Sequence, residues 1–159
     1  MIRQHSGFTL VEMLTVMAIM GILAMIAIPS VVERIVQEQL VAVQPLADIA
    51  KKPIAASWAS FQTLPADNAS VGLPAADKVV SNLVRSLVVE DGAIHLTFGN
   101  KANNAIRDKV LSYRPAVVDD APIVPVAWVC GNATAPDKMT VKGVNRTTVP
   151  AKYLPAGCQ

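Results

Sequence analysis

Residues Phe8 to Pro29 read FTLVEMLTVMAIMGILAMIAIP. These 22 residues hold one charge, Glu12, and two threonines, Thr9 and Thr15. As a helix the run reaches about 33 Å, close to the thickness of a bilayer's hydrocarbon core. Apolar residues fall on every side, with no polar face repeating every turn. Such a helix sits in a membrane or inside an assembly, not on the surface of a water-soluble domain. Glu12 is therefore the informative residue. A carboxylate at bilayer depth costs roughly 2.5–3.5 kcal/mol on insertion scales and marks a functional position.

Upstream lies MIRQHSG, residues Met1 to Gly7, short and mildly basic through Arg3 and His5. Its positive side stays cytoplasmic. A general secretory signal is cut after its apolar core. Here the core is too long and carries Glu12, so the expected cut lies before it, after Gly7. Cleavage there frees an amine on Phe8, four residues from Glu12. That amine has two potential carboxylate partners, Glu12 of its own helix and Glu12 of a neighbour. The neighbour pairing is an assembly device, because docking relieves a buried charge. A single-pass anchor with Glu12 near the headgroups is the plainer alternative.

Gly7-Phe8-Thr9-Leu10-Val11-Glu12-Met13-Leu14, continuing through Gly21-Ile22-Leu23-Ala24 and Ala27-Ile28-Pro29, resembles the type IV prepilin motif. The resemblance implies cleavage between Gly7 and Phe8 by a prepilin peptidase, N-methylation of Phe8, and pairing of Glu12 with the amine of an adjacent subunit. The chain departs from the pattern in two ways: Ser6 stands where a Lys or Arg usually precedes the glycine, and Val31 and Arg34 stand where tyrosines often follow the proline.

Beyond Pro29 an amphipathic pattern runs to about residue 60, with Val32, Ile35, Val36, Leu40, Val43, Leu46, Ile49, Ile54 and Trp58 three or four apart. Pro29, Pro45 and Pro53 interrupt it, so the expectation is one long kinked helix with breaks at Pro29 and Pro45. Gly21 and Pro29 together mark where an assembled filament could locally melt it. Phe61 to Pro74 reads as a loop. Leu87–Glu90 and Ala93–Phe98 flank Asp91-Gly92, a hairpin signal because glycine accepts positive φ. Lys109–Val118 and Pro125–Cys130 read as two more strands. The fold class is α+β, a long N-terminal helix packed on a four-stranded antiparallel sheet. The expected segments are a leader at 1–7, a membrane and filament-core helix at 8–29, its amphipathic continuation at 30–60, and a head at 61–159.

The whole chain has 159 residues and a formal charge of +2, enough for one domain with a core and too little charge to name a partner. Its two cysteines, Cys130 and Cys158, pair if the chain is exported to an oxidising compartment and stay free thiols otherwise. Ile94 to Phe98, Trp128-Val129-Cys130 and Tyr153 to Cys158 also resemble the heads of type IVa pilins, which favours a pilin over a type II secretion pseudopilin. The pilin fold is the architecture this resemblance implies.

No catalytic constellation or cofactor motif stands out. His95 is alone on its strand, no His/Cys spacing suits a metal, and Asp119-Asp120 reads as solvated carboxylates. Asn68, Asn132 and Asn145 begin Asn-x-Ser/Thr triplets of little weight. Between the cysteines lie Lys138, Lys142, Arg146 and Lys152 against Asp137 alone. A basic exposed loop is what DNA contact requires, yet a solvated loop is the preferred reading, since only Tyr153 is there to stack on bases. The functional expectation is a structural subunit of a type IV pilus serving adhesion, twitching motility or DNA uptake. It would wait in the inner membrane of a Gram-negative-type bacterium, polymerise with other pilin subunits through the assembly machinery, and end on the cell surface. A minor or DNA-receptor pilin and a secretion pseudopilin are the alternatives.

Overall fold

The structure, a computed structural model, describes residues 7–159, and the backbone alone for 27–30. Leader residues 1–6 lie outside the described residues. The chain divides into two compact units between Ile35 and Val36. In the first, helix α1 (Leu10–Ala42) begins, and every described side chain from 7 to 26 is exposed. Among the described residues, one helical stretch, within Leu10–Phe61, is long and apolar enough to cross a membrane.

Pro29 behaves differently from the expectation, while the break expected at Pro45 is present beside it. Helix α1 runs through position 29 without a break. An interior proline loses one ladder bond but does not oblige the helix to end. Pro53 likewise sits inside α2 (Gln44–Phe61). The break before α2 is a single turn residue, Val43, with Pro45 in the first turn, where a missing N–H costs nothing. Helix α2 ends at Gln62, whose left-handed φ of 52° lets its N–H return to the Trp58 carbonyl.

In the second unit the buried helical stripe is Val36, Leu40, Val43, Ala47, Ala50, Ile54 and Trp58. Each step along it is three or four residues, the period of one helix face. Ala47 and Ala50 replace the expected Leu46 and Ile49. Ile49 lies one residue off the stripe and is half exposed.

The sheet comprises β1 (Val84–Glu90), β2 (Ala93–Phe98), β3 (Val110–Val117) and β4 (Ala127–Cys130), antiparallel in that order. A fifth, two-residue strand, β5 (Thr140–Val141), was not foreseen; it joins β3 beyond the end of the β2 ladder. The β1–β2 hairpin turns on Asp91 and Gly92, with φ of 46° and 78°. Two consecutive positive values match the right-handed twist of the paired strands. Pro115 is tolerated in β3 because the strand needs only its carbonyl there, which accepts from the Lys142 N–H at 2.8 Å.

On one face of the sheet Leu87, Ile94, Leu96, Phe98 and Leu111 are completely buried. Each contributes about 1.5–3 kcal/mol relative to exposure. Helix α2 packs on this face, where the Lys51 ammonium sits 4.5 Å from the Tyr113 ring. Burial pushes the Tyr113 hydroxyl up to about 12, with Asp48 adding to the shift.

The exposed edge of β1 is closed by a side chain. Asn68 donates from Nδ2 to the Leu87 carbonyl at 2.9 Å and accepts the Val89 N–H on Oδ1 at 2.6 Å. It thereby imitates a neighbouring strand and protects an edge that would otherwise invite pairing. The same Nδ2 also donates to Pro74, so this triplet asparagine is structural. Asn68→Ala is expected to cost about 1–3 kcal/mol, since two strand groups lose their partner; thermal unfolding of the head followed by circular dichroism checks it.

Candidate functional site

The chemistry-bearing residues fall into two places, the start of α1 and the cysteine-closed loop. At the first, Thr9 caps the helix. Its hydroxyl accepts the Glu12 N–H at 3.3 Å, while Glu12 Oε2 accepts both the Thr9 N–H and the Thr9 hydroxyl at 2.8 Å. This reciprocal exchange is a capping box. Glu12 is therefore held by its own helix in the single chain and is not the unpaired charge that its position suggested. The signal was present as Thr9-x-x-Glu12 ahead of an apolar run. Gly7 and Phe8 precede the cap and lie outside the helix, and Phe8 is exposed.

At the second place Cys130 and Cys158 form a disulfide, 28 apart in sequence. The two ends of the loop are also tied by hydrogen bonds. The Gly131 N–H donates to Ser112 and the Asn132 N–H to the Cys158 carbonyl, at 2.8 and 2.9 Å. Gly143 needs its glycine: φ is +80°, and a Cβ would come within 2.7 Å of the Ala93 Cβ. Gly143→Ala is expected to destabilise the head by about 1–3 kcal/mol. Gly157→Ala, with open space around the site, should stay within about 0.5 kcal/mol. Urea unfolding of the two variants side by side tests the contrast.

Two of the four basic residues have acid partners outside the loop. Lys142 meets Asp119 at 2.7 Å and Arg146 meets Glu90 at 2.6 Å. Lys152 lies 4.7 Å over the Tyr153 ring, and Lys138 occupies an exposed turn with φ of 65°. Counting charge between the cysteines missed Asp119 and Glu90 because both lie earlier in the chain. Bonds from the Lys142 and Thr140 side chains hold the Asp119 carboxyl below the usual carboxylate range. His95, expected to stand alone, faces Ser112 at 2.9 Å and Glu90 at 3.6 Å.

Comparison with known proteins covers both places. Residues 39–159 match the family model described as pilin (bacterial filament), and residues 2–28 match the prokaryotic N-terminal methylation motif. A fimbrial protein of Neisseria meningitidis serogroup A is 30% identical over 98% of this chain and 94% of its own. The type IV major pilin protein PilE of Neisseria gonorrhoeae is 28% identical over the same shares. The fimbrial protein EcpC of Eikenella corrodens is 28% identical over all of this chain and 94% of its own.

Proposed function

The chain belongs to the pilin family, and from that premise we propose that it is a structural subunit of a type IV pilus, processed at Gly7 and polymerised from the inner membrane of a Gram-negative-type bacterium. The observation that carries the reading is the joint match of the apolar helix and the head to pilin and methylation-motif models. A prepilin peptidase cuts the Gly7–Phe8 bond, and the new amine of Phe8 is methylated.

Before assembly the Thr9 cap keeps Glu12 hydrogen-bonded, which lowers the cost of holding a carboxylate near the bilayer. On docking, Glu12 meets the Phe8 amine of an adjacent subunit, replacing a hydroxyl and an amide by a full positive charge. A charge-assisted bond of this kind is about twice as strong as a neutral one. The exposed apolar side chains of α1, together with Ile49 on α2, supply the surface that neighbouring helices cover. The head forms the filament's exterior, where adhesion, twitching motility or DNA uptake is performed. Internal pairing of Lys142 and Arg146 argues against DNA contact through the cysteine loop.

Deleting the gene is expected to remove surface filaments, and complementation to restore them. Intact filaments combined with blocked protein export would contradict the proposal and indicate a secretion role.

A further inference from the structure

Strand alternation turns Ile94, Leu96, Leu111 and Tyr113 toward α2, and so turns His95 and Ser112 to the opposite face. An uncovered sheet face would leave these two polar residues wet. They are instead 3% and 0% exposed. Their cover is the cysteine-closed loop. The Arg146 N–H donates to Ser112 Oγ at 3.0 Å, and the Ser112 N–H donates to Thr147 Oγ1 at 3.1 Å. The Arg146 guanidinium reaches Glu90 at 2.6 Å, and Gly143 lies against Ala93.

Beneath this cover the hydrogen bonds have one consistent direction. Ser112 Oγ accepts from Arg146 and has a single proton to give, which goes to His95 Nδ1 at 2.9 Å. His95 then carries its own proton on Nε2, which points to Glu90 Oε2 at 3.6 Å. Both of these atoms are buried and make no hydrogen bond at that distance. The arrangement therefore works only with a neutral imidazole. A second proton on Nδ1 turns an acceptor into a donor, and among the described hydrogen bonds no other acceptor faces the Ser112 hydroxyl.

We infer that Glu90, His95, Ser112 and Arg146 form an acid-released latch that holds the cysteine-closed loop over the outer face of the sheet. The charged groups that act on His95 are Glu90 from β1 and Arg146 from the loop, and Arg114 stands two residues along β3 from its paired residue Ser112. Arg114 already donates to the Gly131 carbonyl at 3.2 Å. Glu90 is the one anion of the three, and Arg146 occupies it. Arg146 holds Glu90 through Oε1 and His95 faces Oε2, so a charge on His95 would set two cations against one anion in a buried space, where excess charge is costly.

Burial first, and the Arg146 charge second, hold His95 below the ordinary histidine value of 6.5, while Glu90 opposes them. With the loop lifted, the imidazole is hydrated and titrates near its ordinary value. The covered state binds the proton more weakly. Closure is therefore fully stable above about pH 6.5 and weakens as pH falls toward the lower covered value, about tenfold per pH unit in that window. The disulfide tethers the loop throughout, so opening is a local event and not unfolding.

The test is hydrogen exchange of the full chain in detergent at pH 7.5 and 5.5, corrected for intrinsic rates. Protection across residues 145–149 should fall by up to about tenfold at the lower pH, while the β2 amides change less than about twofold. His95→Asn places an amide near the Nδ1 position, keeps a partner for Ser112 and removes the titration, so its protection should not depend on pH. Equal protection at both pH values in the natural chain, or the same fall in His95→Asn, overturns the latch. If that variant does not fold, an NMR titration of the His95 imidazole in the natural chain decides. A midpoint below 6.5 supports the latch, and one at or above 6.5 overturns it.

Discussion

Glu12→Ala is expected to leave subunits that are cut at Gly7 and retained in the inner membrane, with no filaments on the cell surface. The residue has two separable tasks. Within its own helix it completes the capping box with Thr9, and losing a cap costs about 1 kcal/mol. In the proposed filament it neutralises the Phe8 amine of a neighbouring subunit, and leaving one member of a buried ion pair alone costs about 3–5 kcal/mol. The second loss recurs at every subunit contact, so it decides whether a polymer forms. Two further variants separate the tasks. Thr9→Val removes the hydroxyl and keeps the charge, so filaments should persist at reduced number. Glu12→Gln keeps hydrogen-bonding capacity and removes the charge, so filaments should be lost. Electron microscopy and shearing yield read all three. Filaments at natural abundance in Glu12→Gln would show that the charge is not what drives docking.

Replacing both cysteines by serine is expected to destabilise the head by about 3–4 kcal/mol on the chain-entropy account of a loop this long. A small domain has only about 5–15 kcal/mol in total, so the loss is a large fraction. It corresponds to a fall of roughly 10–20 °C in Tm. The tether does more than shorten the unfolded chain. It fixes the strand Ala127–Cys130 against the C-terminal segment, where Leu154 is fully buried and the Asn132 N–H meets the Cys158 carbonyl. Without it, the segment covering His95 and Ser112 loses an anchor. Exchange protection at 145–149 should therefore drop further than protection in β2. Thiol reduction of the natural protein should reproduce the variant. A Tm shift below about 3 °C would mean that noncovalent contacts alone hold the loop.

The sequence announced its elements more readily than its polar contacts. The Phe8–Pro29 run, the Asp91-Gly92 turn and the four main strands each rest on local signals, namely apolar length, positive φ and alternation. The helix stripe was only partly legible. Ala47 and Ala50 are small and weakly hydrophobic, so they carry little signal beside their larger neighbours Leu46 and Ile49. Strand β5 was invisible because two residues carry no period; its pairing depends on the long return of the loop from Cys130. Pro29 misled in the other direction, since a helix tolerates one interior proline.

At the candidate sites the same division holds. The Thr9–Glu12 box is local and could have been read from its spacing. The pairing of Lys142 with Asp119, of Arg146 with Glu90, and of His95 with Ser112 joins residues from 17 to 56 positions apart, and no local pattern encodes it. A count of charges between the cysteines therefore produced a basic loop that the folded head largely neutralises.

The central claim is that this chain, cut at Gly7, builds a surface filament. Mass spectrometry of filaments sheared from cells tests it most directly. This chain is expected to be a component of the filaments, to begin at a methylated Phe8, and to lack two hydrogens at Cys130 and Cys158. Absence of the chain from the filaments, or its presence there with residues 1–7 still attached, would contradict it.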